Sequence, residues 1–439
     1  MNVRRLVPVA CLAVLSSLPA RAQTTDLRDL LTGFLREGIT LAPPSAGFPS
    51  HEAHFISSQS PQFAALTQFN ANLAAQLSSF PLASSTGGFT YKYDPALGVF
   101  SRSSDSFGPI YGERADTIGR GKFNLGINHS SFTFDKIDGV DLRGSALKLV
   151  FTHQDTNNDG SELNPFFEGD VITASIYLRV ATKISAFVMS YGVTDNLDLG
   201  IAVPLVSVRL DARTDAAIQR LGSGVAAPTI HRFANGGTEE SFTSRGDASG
   251  VGDVVVRAKY KLLGTDTGGL ALAADVRLPT GDERDLLGTG VTQVQGGVVG
   301  SLQLGPFSPH VVAGYRWAAK DALADEISVT AGFDVALSPR ITFAADVLGR
   351  LFRDTQAISV QNRTYTANTS TNPANPVIVT GQYPTLIVEK KNQASYLGSL
   401  GFKVNPFGNF LLTVNGLFSL NDKGLQDSFS PLVALEYNF

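Results

Sequence analysis

The sequence predicts an all-β fold, an antiparallel transmembrane β-barrel of about 14 strands within a range of about 12 to 16. Two patterns predict it: period-two alternation of apolar and polar residues over many segments, and short turns that alternate with longer connections. Composition agrees, because charged residues make up only 17% of the 439, against roughly 25% in soluble proteins. We therefore expect extensive contact with a non-aqueous medium.

The N-terminus has the features of a secretory signal peptide covering residues 1–22. Arg4 and Arg5 precede an apolar run from Leu6 to Leu18, and Ala20-Arg21-Ala22 provides a small-residue cleavage site. The run is shorter than the roughly 20 residues that a spanning helix needs, which disfavours a membrane anchor. Cys11, the only cysteine, leaves with the signal, so the mature chain has no thiol chemistry.

The clearest hairpin covers residues 252–278. Its apolar face carries Val254, Val256, Ala258, Tyr260 and Leu262, and its other face carries charged residues. Lys or Arg at mid-bilayer costs about 2–4 kcal/mol, so the charged faces of this and similar segments should line the lumen. The predicted lumen residues are Asp253, Arg257, Lys259, Lys261, Asp275, Arg277, Arg316, Glu326, Asp334, Asp346 and Arg350. They either select solutes or pair across strands and fill a narrow barrel.

Turn lengths predict the orientation of the strands. Short turns at 194–196, 264–269, 305–309, 337–340 and 405–409 alternate with mostly longer connections at 211–249, 279–290, 318–325 and 354–385. With a periplasmic C-terminus, the short turns are periplasmic and the longer connections lie outside.

The strand count depends on residues 171–193, which form either one very long strand or two. The one-strand interpretation places 155–160 in an external loop and 135–139 in a periplasmic turn. It also requires an extra strand or hairpin around 89–93 and 99–101 to make the strand number even.

Residues 23–86 differ from the rest and are predicted to be a plug or a periplasmic segment that precedes the barrel domain at 87–439. Apolar residues recur at helical spacing within Asp26 to Gly38 and within Pro61 to Phe80. An ordinary surface helix or a mobile arm is the alternative for this segment.

The C-terminal strand carries the most specific local signal. Val433, Leu435, Tyr437 and Phe439 share one face and end in an aromatic residue, which resembles the assembly signal that the barrel-insertion machinery reads in outer-membrane proteins. Tyr437 and Phe439 also suit the aromatic girdle at the membrane interface. We therefore predict a protein of the cell outer membrane that contacts the lipid bilayer and lipopolysaccharide.

Motifs for catalysis and ligand binding are few. The chain has no G-x-S-x-G, no P-loop and no H-E-x-x-H, so we predict no catalytic residue, no enzyme activity and no cofactor. His51-Glu-Ala-His54 has no evident third ligand and indicates a surface pair, with no metal site. Asp155 to Gly160 matches half of a calcium loop, but Phe166 replaces the required glutamate, which favours a polar external loop. A net charge of −4 gives no excess of basic residues for nucleic acid.

Two stretches carry a family resemblance. Tyr191 to Gly200 running into Val203-Pro204, and Gly252-Asp-Val followed by Arg277 to Gly290, resemble outer-membrane proteins of the "putative MetA-pathway of phenol degradation" family over roughly residues 170–439. That family is similar to long-chain fatty-acid and aromatic-hydrocarbon channels. The resemblance implies a channel for passive passage of small hydrophobic or aromatic compounds, and it leaves the solute unnamed. A structural or surface-contact barrel with a closed lumen is the alternative.

Overall fold

The computed structural model describes residues 26–44, 50–57, 60–78, 88–94, 99–102, 104–144, 147–154, 169–222, 230–319, 323–370, 372 and 374–439. The predicted signal peptide, the loop from Asp155 to Gly160, and Phe166 lie outside these ranges.

Three helices precede the strands in the described ranges. They are α1 Leu27–Gly38, α2 Glu52–Phe55 and α3 Pro61–Ser78. The strands follow in this order: β1 Tyr91–Asp94, β2 Val99–Arg102, β3 Phe123–Phe134, β4 Lys136–Ile137, β5 Val140–Asp141, β6 Leu147–Thr152, β7 Val171–Gly192, β8 Leu197–Gln219, β9 Glu239–Val251, β10 Val255–Gly264, β11 Gly268–Arg277, β12 Gln293–Leu302, β13 Phe307–Ala318, β14 Glu326–Ser338, β15 Ile341–Asn368, β16 Ile378–Val404, β17 Phe410–Ser419, β18 Leu425–Gln426 and β19 Ser430–Asn438.

Fourteen strands form one antiparallel sheet, and twelve of them close it into a barrel. Closure joins the last strand to the first barrel strand, because β19 pairs with β3 and places Leu435 opposite Ile127. The ring then runs through β7, which pairs with both β3 and β8. Among the described residues, the remaining two strands, β6 and β9, pair only with the outer parts of β7 and β8, respectively. The all-β barrel is confirmed, with closure at the lower end of the predicted strand range.

The short turns all lie at one end of the barrel, together with Phe439. They connect β7 to β8, β10 to β11, β12 to β13, β14 to β15 and β16 to β17. At this end the backbone N–H of Phe439 donates to the carbonyl of Phe123 at 2.8 Å, and Asn405 N–H donates to Arg340 at 2.8 Å. The predicted turn positions are therefore confirmed, and we call this the periplasmic end and the opposite one the outer end.

The one-strand interpretation of residues 171–193 is confirmed, since β7 runs unbroken for 22 residues. Two consequences drawn from it are wrong. The hairpin β1–β2 forms a separate two-stranded sheet and adds no barrel strand. Residues 135–139 lie at the outer end, where β4 pairs with β18, and not in a periplasmic turn. The requirement for an even number of strands gave the wrong placement because it counted β6 as a barrel strand. β6 pairs with the outer part of β7 and does not span the barrel.

The predicted connection at 354–385 is largely strand. β15 continues to Asn368 and β16 begins at Ile378, and the two remain paired over the whole length. A register shift between Phe352 and Thr355, with Asp354 at a positive φ of 52°, separates this extension from the barrel part. The hairpin therefore projects beyond the barrel at the outer end.

An apolar belt surrounds the periplasmic half of the barrel. On β8 the outward positions are apolar from Leu197 to Leu205, and they become polar from Ser207 to Asp215. On β7 the outward residues Phe187 and Met189 are 50% and 43% exposed. Nine strand residues tilted by about 40° span roughly 20–25 Å, which matches the apolar band of outer-membrane barrels. The outer halves of β7 and β8 therefore stand above the membrane.

Aromatic side chains mark both edges of this belt. Near the periplasmic end, neighbouring ring centroids lie 4.5–6.2 Å apart in two rows. These rows contain Phe307, Phe333, Phe343, Phe402, Phe407, Phe410, Tyr437 and Phe439. Tyr315 and Trp317, 4.7 Å apart, mark the upper edge. Val433 and Leu435 face outward with the terminal aromatics, as alternation predicts. Their recognition by the insertion machinery stays a prediction.

The chamber inside the outer half of the sheet is apolar and filled by the N-terminal helices. Leu27, Leu30, Leu31 and Phe34 follow the i, i+3, i+4, i+7 spacing of an amphipathic helix, and all four are buried. They join one hydrophobic cluster with the inward residues of β7 and β8. Both predicted helices are confirmed, and within the described ranges no helix is sufficiently long and apolar to span a membrane.

Candidate functional site: the barrel lumen

Residues 104–122, which we call the lumen segment, fill the membrane-level lumen as irregular chain. Its backbone donates hydrogen bonds to inward side chains of several strands. Phe107 N–H donates to Thr342 at 2.9 Å, Tyr111 to Asp346 at 3.1 Å, Ala115 to Ser301 at 3.0 Å and Ile118 to Asp198 at 3.0 Å. Because the lumen segment is neither helix nor strand, its backbone N–H groups have no partners in a regular element, and wall side chains accept their hydrogen bonds instead.

The lumen segment ends in a close backbone contact with β7. Gly121 N–H donates to the carbonyl of Gly192 at 2.7 Å, and Gly192 N–H donates to Lys122 at 3.0 Å. A β-carbon at Gly192 would collide with the backbone of Gly119, and Gly119 itself has a φ of +100°. Glycine at both positions therefore permits the chain to turn from the lumen into β3.

A buried charge cluster ties the lumen segment to β13, β14 and β15. Arg114 pairs with Asp334, and Ser106 donates to the same carboxylate. His310 lies between two carboxylates, 2.6 Å from Asp346 and 3.7 Å from Asp334. Asp334, completely shielded from solvent, thus contacts three partner side chains. Charges buried this deeply require such pairing, because each is costly to remove from water.

A second cluster lies on β10 and β11. Arg257 forms a bidentate pair with Asp275 at 2.5 and 2.7 Å, and it also contacts Glu113 of the lumen segment. Lys259 donates to the carbonyls of Arg114 and Asp116 at 3.2 and 2.6 Å. Its ammonium also lies 3.8 Å from Asp198, and Lys261 lies 4.0 Å from Asp116. The lumen segment is therefore held on two sides of the barrel.

The third cluster lies nearer the outer end. Glu326 accepts hydrogen bonds from Arg350 at 2.8 and 2.9 Å and pairs with Arg316. Arg277 has Arg316, Asp253, Arg350 and Asp275 as electrostatic neighbours. This cluster borders a cavity of about 190 Å³ between α3 and the wall, which Asn72 and Gln76 line from the helix.

Asp253 has a different role from the other predicted lumen residues. Its carboxylate accepts hydrogen bonds from Gly281 N–H at 3.1 Å and from the backbone and hydroxyl of Thr289 at 2.9 and 2.8 Å. Because these partners belong to the connection between β11 and β12, Asp253 fixes that connection over the break between β9 and β10.

Ten of the eleven predicted lumen residues lie on inward positions of their strands, and Asp253 lies in the break between β9 and β10. Each of the eleven has a charged partner or a charged neighbour. Sequence reasoning missed the lumen segment and its charged residues Glu113 and Arg114. Its one sequence signal was local: Gly108-Pro109, Gly112, Gly119 and Gly121 break any periodic pattern just before β3. Whether these residues select solutes stays a prediction.

Comparisons with known proteins identify one family and several similar solved structures. The model of the family described as "Putative MetA-pathway of phenol degradation" matches residues 168–422, more than half of the chain. Among solved structures, the chain is similar to an outer-membrane channel from Pseudomonas putida F1, with 12% identity and a TM-score of 0.44 over 74% of this chain and 98% of that one.

Two further similar structures are a FadL homologue of Pseudomonas aeruginosa and the toluene transporter TodX of P. putida. The first has 10% identity and a TM-score of 0.32 over 82% of this chain and 97% of its own. TodX has 14% identity and a TM-score of 0.24, with 73% and 90% covered. A search of curated proteins gave no match.

The barrel and its apolar belt place the protein in the outer membrane, in contact with the lipid bilayer. The matched region contains both stretches that carried the resemblance in the sequence, from Tyr191 to Pro204 and from Gly252 to Gly290. The chain belongs to the family described as "Putative MetA-pathway of phenol degradation".

Proposed function

We propose that this protein is an outer-membrane channel for the passive passage of small hydrophobic, including aromatic, compounds, and that its N-terminal segment is the plug. One observation carries the proposal: the inward face of the outer chamber is apolar. On β7 this face consists of Ile172, Ala174, Ile176, Leu178 and Val180, all buried. Channels for water-soluble solutes have polar interiors, so this wall suits apolar solutes.

The contacts of α1 are of a kind that an apolar solute could replace. Phe34 meets Phe242 of β9 edge-on, with ring centroids 4.7 Å apart. The polar contacts at its start include Arg28 N–H, which donates to Arg284 at 2.8 Å, Leu27 N–H, which donates to the carboxylate of Asp285, and the exposed Arg28–Glu283 pair at 3.7 Å. Exposed pairs contribute about 0–1 kcal/mol. Displacing the helix, while residues 40–42 stay paired with residues 232–234, therefore costs mainly apolar contact, which an incoming apolar solute restores.

A disulfide between α1 and β9 should close the channel. A β-carbon at Gly38 would lie 2.6 Å from Cγ of Phe242. Because Cγ and Cβ are one bond apart, the two β-carbons would lie at most about 4 Å apart, within the range that a disulfide spans. With Cys11 removed with the signal, Gly38→Cys with Phe242→Cys forms one unambiguous bond. We expect oxidation to reduce solute entry at least about tenfold.

The measurement is entry of an apolar aromatic dye into proteoliposomes whose outer leaflet contains lipopolysaccharide, with no energy source. Reduction of the same sample should restore entry, and the two single-cysteine variants should respond to neither treatment. Equal entry through the oxidised and reduced forms would refute gating by the N-terminal segment.

A closed structural barrel is the second candidate, and the filled lumen favours it.

We expect Glu113→Gln combined with Arg114→Gln to release the lumen segment, because this pair of substitutions removes its ion pairs with Arg257 and Asp334. Planar-bilayer conductance should rise several-fold over the unmodified protein, while the exposed Arg120→Gln control should not change it. Dye entry that is absent from the unmodified protein and from every variant would favour the structural barrel.

A further inference from the structure

Four of the six histidines of the chain lie together at the outer end. His51 immediately precedes α2 and His54 lies within it, His153 follows β6, and His231 lies in the connection after β8. Nδ1 of His51 is 3.0 Å from Nε2 of His231. One ring nitrogen each of His51, His153 and His231 lies within 4.8 Å of the others. The ring of His54 is 4.6 Å from that of His153.

The backbone holds these three segments in place. The carbonyl of His54 accepts a hydrogen bond from Gln154 N–H at 2.8 Å, which joins α2 to the end of β6. Ala42 N–H donates to Arg232 at 3.0 Å, which joins the N-terminal segment to the connection after β8. Phe55 is completely buried beneath the rings of His153 and His231, at 5.0 and 5.1 Å. The cluster is therefore preorganised by fixed chain segments.

His153 points to a ligand. Its side chain is only 7% exposed, and its Nε2 has no hydrogen-bond partner among the residues that the structure describes. An unsatisfied buried polar atom costs about 1–3 kcal/mol. A bound metal ion would give this nitrogen its missing partner.

Asp170 supplies a supporting carboxylate. It is completely buried, and its Oδ2 lies 2.9 Å from Nδ1 of His231. Its other oxygen accepts a hydrogen bond from Gly222 N–H at 2.8 Å. A proton on Nδ1 of His231 donates to this carboxylate, so the lone pair of Nε2 faces the cluster. Metal-binding histidines commonly have such a carboxylate on their second nitrogen.

We propose that His51, His153 and His231 bind a divalent transition-metal ion such as Zn²⁺, with His54 or water as a fourth ligand and Asp170 as a positioning residue. Tetrahedral zinc with bonds of 2.0–2.1 Å separates its nitrogen ligands by about 3.3 Å. The observed separations of 3.0 to at most 4.8 Å require side-chain shifts of about an ångström. Three imidazoles suit zinc, copper and nickel better than calcium or magnesium.

The ion would connect the N-terminal segment to the outer half of the sheet. His51 belongs to that segment, and His153 and His231 follow the strands β6 and β8. The inference that the metal ion stabilises attachment of the plug rests on the proposed function. The metal site itself does not rest on that function, because binding of the metal ion is measured without any solute.

The experiment uses the mature protein in detergent, without a histidine tag and freed of metal by a chelator. Calorimetric titration with Zn²⁺ should give one ion per chain. Co²⁺ in its place should give the intense visible absorption of tetrahedral nitrogen coordination. We expect His153→Gln and His231→Gln each to weaken binding by at least about 100-fold. Asp170→Asn should weaken it about 10–100-fold.

His129→Gln is the matched control. His129 lies on the outer face of β3, 2.9 Å from Ser185 and outside the cluster, so its replacement should leave binding unchanged. Heat-modified gel mobility verifies that each variant is folded. If the folded unmodified protein does not bind Zn²⁺, or binds it no more tightly than the His153 and His231 variants, the cluster is a hydrogen-bonded histidine core and the site is refuted.

Discussion

Replacing Glu326 with glutamine is expected to lower the free energy of unfolding by about 3–5 kcal/mol, the range for breaking a buried ion pair from one side. Glu326 is 3% exposed and compensates two guanidinium groups, those of Arg316 and Arg350. The amide retains the shape and some hydrogen bonds but removes the negative charge. Two positive charges then remain together in a poorly solvated site, which is the physical origin of the loss.

Equilibrium unfolding of the micelle-folded protein in guanidinium measures the effect. The control is Glu239→Gln, at an exposed position of β9, where we expect a change within about 0.5 kcal/mol. Combining Glu326→Gln with Arg350→Gln should restore part of the loss, since it removes one of the uncompensated charges. A loss below about 1 kcal/mol would mean that lumen water already solvates this cluster.

The barrel could be predicted because its wall obeys local rules. On β10 the outward Val256 and Tyr260 alternate with the inward Arg257 and Lys259, and the lipid enforces that period in every strand. The register of the β10–β11 hairpin also predicts one ion pair, because it places Arg257 directly opposite Asp275. Turn positions were equally predictable, since each short turn must connect neighbouring strands.

The contents of the barrel were not predictable in the same way. The lumen segment has no period because its backbone is satisfied by wall side chains, as in the bond from Phe107 to Thr342. The histidine cluster joins residues 51, 153 and 231, whose separation along the chain leaves no motif. The placement of the segments before β7 was wrong for a related reason. A strand such as β6 can extend the sheet above the membrane without crossing the membrane.

Arginine at Ile201 should cost about 2–4 kcal/mol, whereas arginine at Ser207 should cost about 0–1 kcal/mol. Both residues lie on the outward face of β8, six positions apart, so strand propensity and direction are matched. Ile201 is in the middle of the apolar run from Leu197 to Leu205, and Ser207 is the first polar outward position after it. The two sites differ in depth and in their cross-strand neighbours, since Met189 lies opposite Ile201 and Lys183 lies opposite Ser207.

Urea unfolding from lipid vesicles measures both costs against the unmodified protein. Equal losses of unfolding free energy at the two positions would mean that the membrane extends above Leu205 and surrounds the outer half of the sheet. The expected difference places the boundary just above Leu205. The outward residues Arg209, Asp211 and Arg213 then face water, as their charges require. The N-terminal helices and the histidine cluster would consequently lie in a chamber above the bilayer, which is where the proposed solute passage and the proposed metal site place them.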